Sequence, residues 1–256
     1  MEARAPSTVA EVIARLQAIE AAGGVRDGVA CFARLYRNVT EGVHAQLGSG
    51  GFADPHFLER LDVSFALLFF DAVDEWERAP ASVPSAWKPL FENRGRRGIA
   101  PLQFALAGMN AHINRDLPVA VVSTCSELRL EPSLGSGAHG DFERVNGLLA
   151  RVEATVKASY VRGWFATIDR IVHRFDRIDD VLAMWNVARA RDAAWTNGQA
   201  LWALRDVPGC ATSSSRRSIG WSASPAAGSS SPRTRGCGAP RASAAHVDVC
   251  PERVTG

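Results

Sequence analysis

Between Leu102 and Pro118 the chain reads Leu-Gln-Phe-Ala-Leu-Ala-Gly-Met-Asn-Ala-His-Ile-Asn-Arg-Asp-Leu-Pro, apolar on nearly every side at first and polar afterwards. A helix with an apolar surface all round persists only where neighbours surround it, which puts this segment at the centre of the fold. Ala105, Gly108, His112 and Asp116 follow at spacings of three or four, so they share one face that ends in an imidazole and a carboxylate one turn apart. The small residues leave room beside that pair. Asn110 and Asn114 add amides to the same half, and Pro118, with no N–H to donate, is expected to end the helix. The expectation is an all-α, single-domain orthogonal helical bundle built around a buried central helix over about 99–117.

The rest of the chain fits that frame. With 256 residues, 46% hydrophobic and 22% charged, it has an ordinary globular composition and enough length for one large core. The formal charge of +2 is not gathered into a basic stripe interleaved with aromatics, so no nucleic-acid partner is expected. No apolar run reaches the ~18 residues that a membrane span needs, and residues 1–23 lack the pattern of a signal peptide, so the expected location is cytoplasmic. Cys31 and Cys125 belong to no Cys-x-x-Cys pair and read as buried thiols. Oligomeric state leaves no mark that the sequence exposes.

Helix signals recur along the chain. Thr8 and Glu11 have capping-box spacing before Val9, Val12, Ile13, Leu16 and Ile19, and Gly23-Gly24 follows, which predicts a helix over 8–22. A second, over 27–47, places Val29, Phe32, Tyr36, Val39, Thr40 and Val43 on one stripe. Asp54-Pro55 pairs a cap residue with a first-turn proline, opening a helix through Phe65, Phe69 and Trp76 that carries Asp71 beyond Phe69-Phe70. Pro80 to Pro84 reads as a loop, 85–91 as a short helix with Trp87, and Arg94 to Gly98 as a basic turn. After Pro118, Val119 to Val122 is taken as continuing helix. Glu131 to Gly140 reads as a loop delivering His139, with Asp141 as cap of a helix to about Tyr160 that bears Asn146. Trp164 to Phe175, with Asp169 and His173, and a stretch from Asp179-Asp180 through Trp195 to Leu204 complete the helical body.

Downstream of Gly209 the composition changes, with ten serines, three of the five cysteines and no periodicity that could bury a face. The organisation expected is therefore a helical domain over 1–209 and a disordered tail over 210–256. Twenty-seven arginines against two lysines point to a GC-rich coding sequence. Back-translation of residues 209–230 with such codons, read two nucleotides on, spells Leu-Arg-Asp-Glu-Leu-Val-Ala-Thr-Leu-Asp-Arg-Leu-Val-Gly-Leu-Ala-Gly-Arg-Gly-Leu-Leu. That peptide has an amphipathic helical pattern, so the tail reads as out-of-frame translation.

On these residues, about 26–209 resembles a bacterial family of uncharacterised helical proteins, domain of unknown function 5995. The likeness rests on Tyr36-x-x-Val-Thr40, Phe52-x-Asp54, Phe70-Asp71-Ala72, Gly108-Met-Asn-Ala-His-Ile-Asn-x-Asp116, Asp141-Phe-x-x-Val-Asn146 and Ala190-Arg-x-Ala-x-Trp195, with a departure at Asp192-Ala-Ala. The resemblance implies an all-α single domain and no known activity. The shifted-frame tail resembles the family's C-terminal helix.

Chemistry can be read into the polar residues in three ways. His112 and Asp116 could face one divalent cation (Zn, Mn or Fe), with Asp71 and Asp141 completing an N/O sphere and His139 carrying protons, as in a metal-dependent hydrolase. Tyr36, Asn110, Asn114 and Asn146 would then contact a small-molecule substrate. The same residues could instead form a buried hydrogen-bonded network that fixes helix register, or line a metal-free small-molecule pocket. Resequencing the gene is the first check: a one- or two-nucleotide slip near the codon for Gly209 is expected, and an uninterrupted frame shared by independent clones would remove that reading of the tail.

Overall fold

The computed structural model describes residues 4–24, 26–47, 50–149 and 187–207, all within one compact unit. Among them every regular element is helical, which gives the all-α fold. Helix α1 spans Val9–Gly23 and is opened by the expected capping box, with Thr8 accepting from the Glu11 amide and the Glu11 carboxylate accepting from Thr8 N–H. It lays Val9, Val12 and Leu16 on the core. Helix α2, Gly28–Leu47, and helix α3, Pro55–Arg78, supply the two long walls. Asp54 caps α3 by accepting from Phe57 N–H at 2.9 Å, as the Asp-Pro pair predicts. A 3₁₀ turn, Pro80–Ser82, leads through Trp87 to α4, Lys88–Asn93.

The central segment is longer than the sequence suggests. Helix α5, Pro101–Ala111, passes into one wide π turn, His112–Asp116, and on into α6, Leu117–Leu128. Pro118 does not end it. At the π turn the Leu117 N–H reaches back five residues to the His112 carbonyl, and the widened turn admits a proline where a regular α-turn would clash with its ring. Proline thereby falls at the first turn of α6, where no donor is missed. The helix closes at Arg129, a non-glycine residue in left-handed conformation (φ 55°).

Residues 137–149 form α7 and Val187–Leu204 form α8. The α7 segment starts ahead of Asp141, so that residue lies inside the helix and is not its cap; Ser136 has the capping role, accepting from His139 N–H. The expectations for 150–186, including Asp169, His173 and Asp179-Asp180, and for 208–256 lie outside the described residues.

Helix α5 passes close to α2 because glycines remove the side chains between them. A Cβ at Gly108 would overlap the Phe32 ring, and one at Gly28 would meet Phe104 at 2.6 Å. Phe32, Phe69 and Trp87 then form one contiguous aromatic layer. Gly108→Ala is therefore expected to lower stability by about 1–3 kcal/mol through overpacking, seen as a fall in the thermal midpoint. Gly147→Ala, whose added methyl group meets nothing, is the control expected to leave the midpoint unchanged or raise it.

Candidate functional site

The polar half of the central segment folds inward. His112 is 3% exposed and Asp116 is fully buried. The Asp116 carboxylate has three side-chain donors: Oδ2 accepts from Trp87 Nε1 at 3.0 Å and from His112 Nδ1 at 3.0 Å, and Oδ1 accepts from Arg115 at 2.5 Å. A carboxylate can only accept, so the imidazole proton resides on Nδ1 and Nε2 carries a bare lone pair. Nε2 has no hydrogen-bond partner.

Aromatic rings enclose the imidazole. Phe65 stacks on it at 3.5 Å between centroids and 8° between planes, and Tyr36 crosses it at 4.6 Å and 67°. Phe32, Phe69 and Trp87 complete the box. Burial in this apolar surround pulls His112 below its ordinary value, against the pull of the Asp116 hydrogen bond, which raises it. The Tyr36 phenol is raised well above its usual range, first by burial and then by the charges of Asp62 and Asp116.

The other residues expected at a site lie elsewhere. Asp141, fully buried, accepts from Ala53 N–H at 2.9 Å and Asp54 N–H at 2.5 Å and is paired with Arg144, so its oxygens hold the start of α3 against α7. His139 accepts from Gly135 N–H, faces Glu143 at 3.6 Å and lies against Trp195. Asn110 and Asn114 bond each other on the exposed side of the helix, because residues two positions from His112 point to the opposite side of a helical turn. Asn146 accepts from Arg191 at 2.7 Å and donates to Asp192. Asp71 is half-buried and has interactions of its own. Among the described residues no three His, Cys, Asp or Glu side chains are grouped so as to hold a metal ion, and the expected quartet of His112, Asp116, Asp71 and Asp141 is not assembled. Of the expected set, Tyr36 and Asp116 meet His112.

Two participants escaped the sequence reading. Trp87 donates to Asp116 from 29 residues away, and no periodicity marks such a pairing. Asp62, one turn before Phe65 on α3, has its carboxyl pushed up to about 7, mainly by burial, which the Arg191 charge opposes.

These features define an all-helical protein with a tyrosine-flanked His–Asp–Trp network buried at its centre. The chain belongs to the family of unknown function DUF5995, whose profile matches residues 9–222. No curated protein and no solved structure matches it. No described helix is long and apolar enough to cross a membrane.

The two shifted groups act on stability with opposite sign. His112 is held neutral in the fold, so the unfolded chain binds the extra proton, and the stability it supports is present above about pH 6.5 and is lost as pH falls below it. Asp62 keeps a proton in the fold that the unfolded chain releases, so stability is lost as pH rises from 3.8, its ordinary value, toward about 7. Asp62→Asn is expected to gain more stability at pH 8 than at pH 4, as read by denaturant titration at both.

Proposed function

We propose that the His112–Asp116–Trp87 network is a structural node and that this helical protein works without a metal in its core. The observation that carries the reading is the valence of Asp116. Its two oxygens are occupied by an indole, an imidazole and a guanidinium, the imidazole is stacked on Phe65, and among the described residues no further acid joins them in a group that could hold a cation. A carboxylate so engaged orients the π turn and joins it to the chain just before α4. A cation there would have to compete with those three donors and sit beside the positive charge of Arg115.

A metal-dependent hydrolase draws its support from the His112-x-x-x-Asp116 spacing and the unpaired His112 Nε2, which aromatic rings surround. That spacing serves a structural bond equally well, since residues four apart stack on one helix face. The fate of Asp141 favours the structural reading too, because both its oxygens accept main-chain N–H groups at the start of α3.

The two readings separate in one set of measurements. In the structural case, Asp116→Asn and His112→Ala each lower stability by about 2–5 kcal/mol by leaving buried partners unpaired. A chelator leaves the thermal midpoint where it was, and added Zn, Mn or Fe rescues neither variant. One equivalent of divalent metal per purified chain, lost in His112→Ala, would overturn the proposal.

A further inference from the structure

At the end of α8, composition and burial disagree. From Gln199 to Leu204 the chain reads Gln-Ala-Leu-Trp-Ala-Leu, five apolar residues of six, yet none of them is buried. Leu201 and Trp202 are partly covered, whereas Ala200, Ala203 and Leu204 are exposed and Val207 follows them into solvent. Leu204 is 46% exposed and Val207 42%, two of the three large apolar side chains exposed among the described residues. A helix apolar all round needs neighbours on every side.

The buried residues of α8 lie on one side. Arg191, Ala194, Trp195 and Gly198 share that face, and a Cβ on Gly198 would meet Val121 and the Pro118 carbonyl of α6. At about 100° per residue, Ala200, Ala203 and Leu204 fall on the opposite face, turned away from α6. The Val207 N–H reaches back to the Leu204 carbonyl at 3.1 Å, which keeps Val207 at the same end.

The chain leaves α8 in a way that suits a returning helix. After the turns at Arg205 and Val207, Asp206 and Pro208 offer a cap residue and a first-turn proline. The shifted reading begins at the codon for Gly209, so about four residues join Leu204 to the helical peptide that it spells. A connection that short makes two consecutive helices antiparallel neighbours. The peptide has leucine at its first, fifth, ninth and twelfth positions, one apolar stripe at helical spacing, with an Asp and a Glu in its first turn.

We propose that Ala200, Ala203, Leu204 and Val207 form the docking face for the amphipathic helix of the shifted frame, which folds back on the end of α8 as an antiparallel hairpin. Its leucine stripe covers the apolar side that the body leaves open, and its charged side faces water. The chain as it stands does not encode that helix in frame, so its face is free to take the same peptide supplied separately.

Fluorescence anisotropy of the labelled synthetic peptide, titrated with the full 256-residue chain, tests this. Saturable binding is expected, with a Kd below about 1 mM. Leu204→Asp and Val207→Asp, at exposed positions that leave the thermal midpoint unchanged, are each expected to weaken it at least about tenfold. Leu134→Asp, at the third exposed apolar side chain, is expected to change it less than about twofold. No saturable binding, equal binding by Leu204→Asp and Val207→Asp, or an equal loss in Leu134→Asp would overturn the proposal. So would a dimer, in sedimentation of the chain alone, that Leu204→Asp dissolves and the peptide leaves intact, since a second copy would then be the occupant. Resequencing reads the frame and these titrations read the face, so the failure of one is distinct from the failure of the other.

Discussion

A fully buried carboxylate is the constraint on which the rest of this structure turns. Removed from water and left alone, Asp116 would be too unfavourable to keep ionised, so its surroundings must supply donors. They come from different parts of the chain: the imidazole one turn earlier, the neighbouring guanidinium and an indole that precedes α4. Meeting that demand fixes where Trp87 must lie, and Trp87 in turn closes the aromatic layer of Phe32, Phe69 and Phe91. Electrostatic satisfaction and apolar packing are therefore one arrangement in this core.

The π turn is the backbone expression of the same constraint. It runs over His112–Asp116, whose imidazole and carboxylate face inward together while Asn110 and Asn114 face out. It also makes Pro118 acceptable within a nearly continuous helix, since the adjacent donors already reach one residue further back. Asp141 shows the same logic on a smaller scale. Its carboxylate compensates burial by gathering the main-chain donors at Ala53 and Asp54, which pins the start of α3 to α7.

Much of the fold was legible in the residue order because it is written locally. The capping box at Thr8 and Glu11, the Asp54-Pro55 start and the apolar stripe through Phe32 and Tyr36 each depend on neighbours within a turn or two, and each forms as its pattern predicts. The candidate site was legible only in part. The His112-x-x-x-Asp116 spacing states that the two share a face, yet it carries no information about what meets that face. Asp71 and Asp141 have the donor chemistry that a cation needs, and the fold sends them to other places.

The sequence by itself determined helices α1, α2 and α3, the caps at Thr8 and Asp54 and the shared face of His112 and Asp116, because those follow from spacings of three and four along one chain. Tertiary structure alone decided that Trp87 completes the pair, that Phe65 stacks on the imidazole, that Pro118 is passed through and that Asp141 serves a helix start. The reason is physical: each of those outcomes depends on which groups a buried charge or lone pair finds after distant segments have packed. A burial requirement can be read from one residue, but the partner that meets it is chosen by the fold.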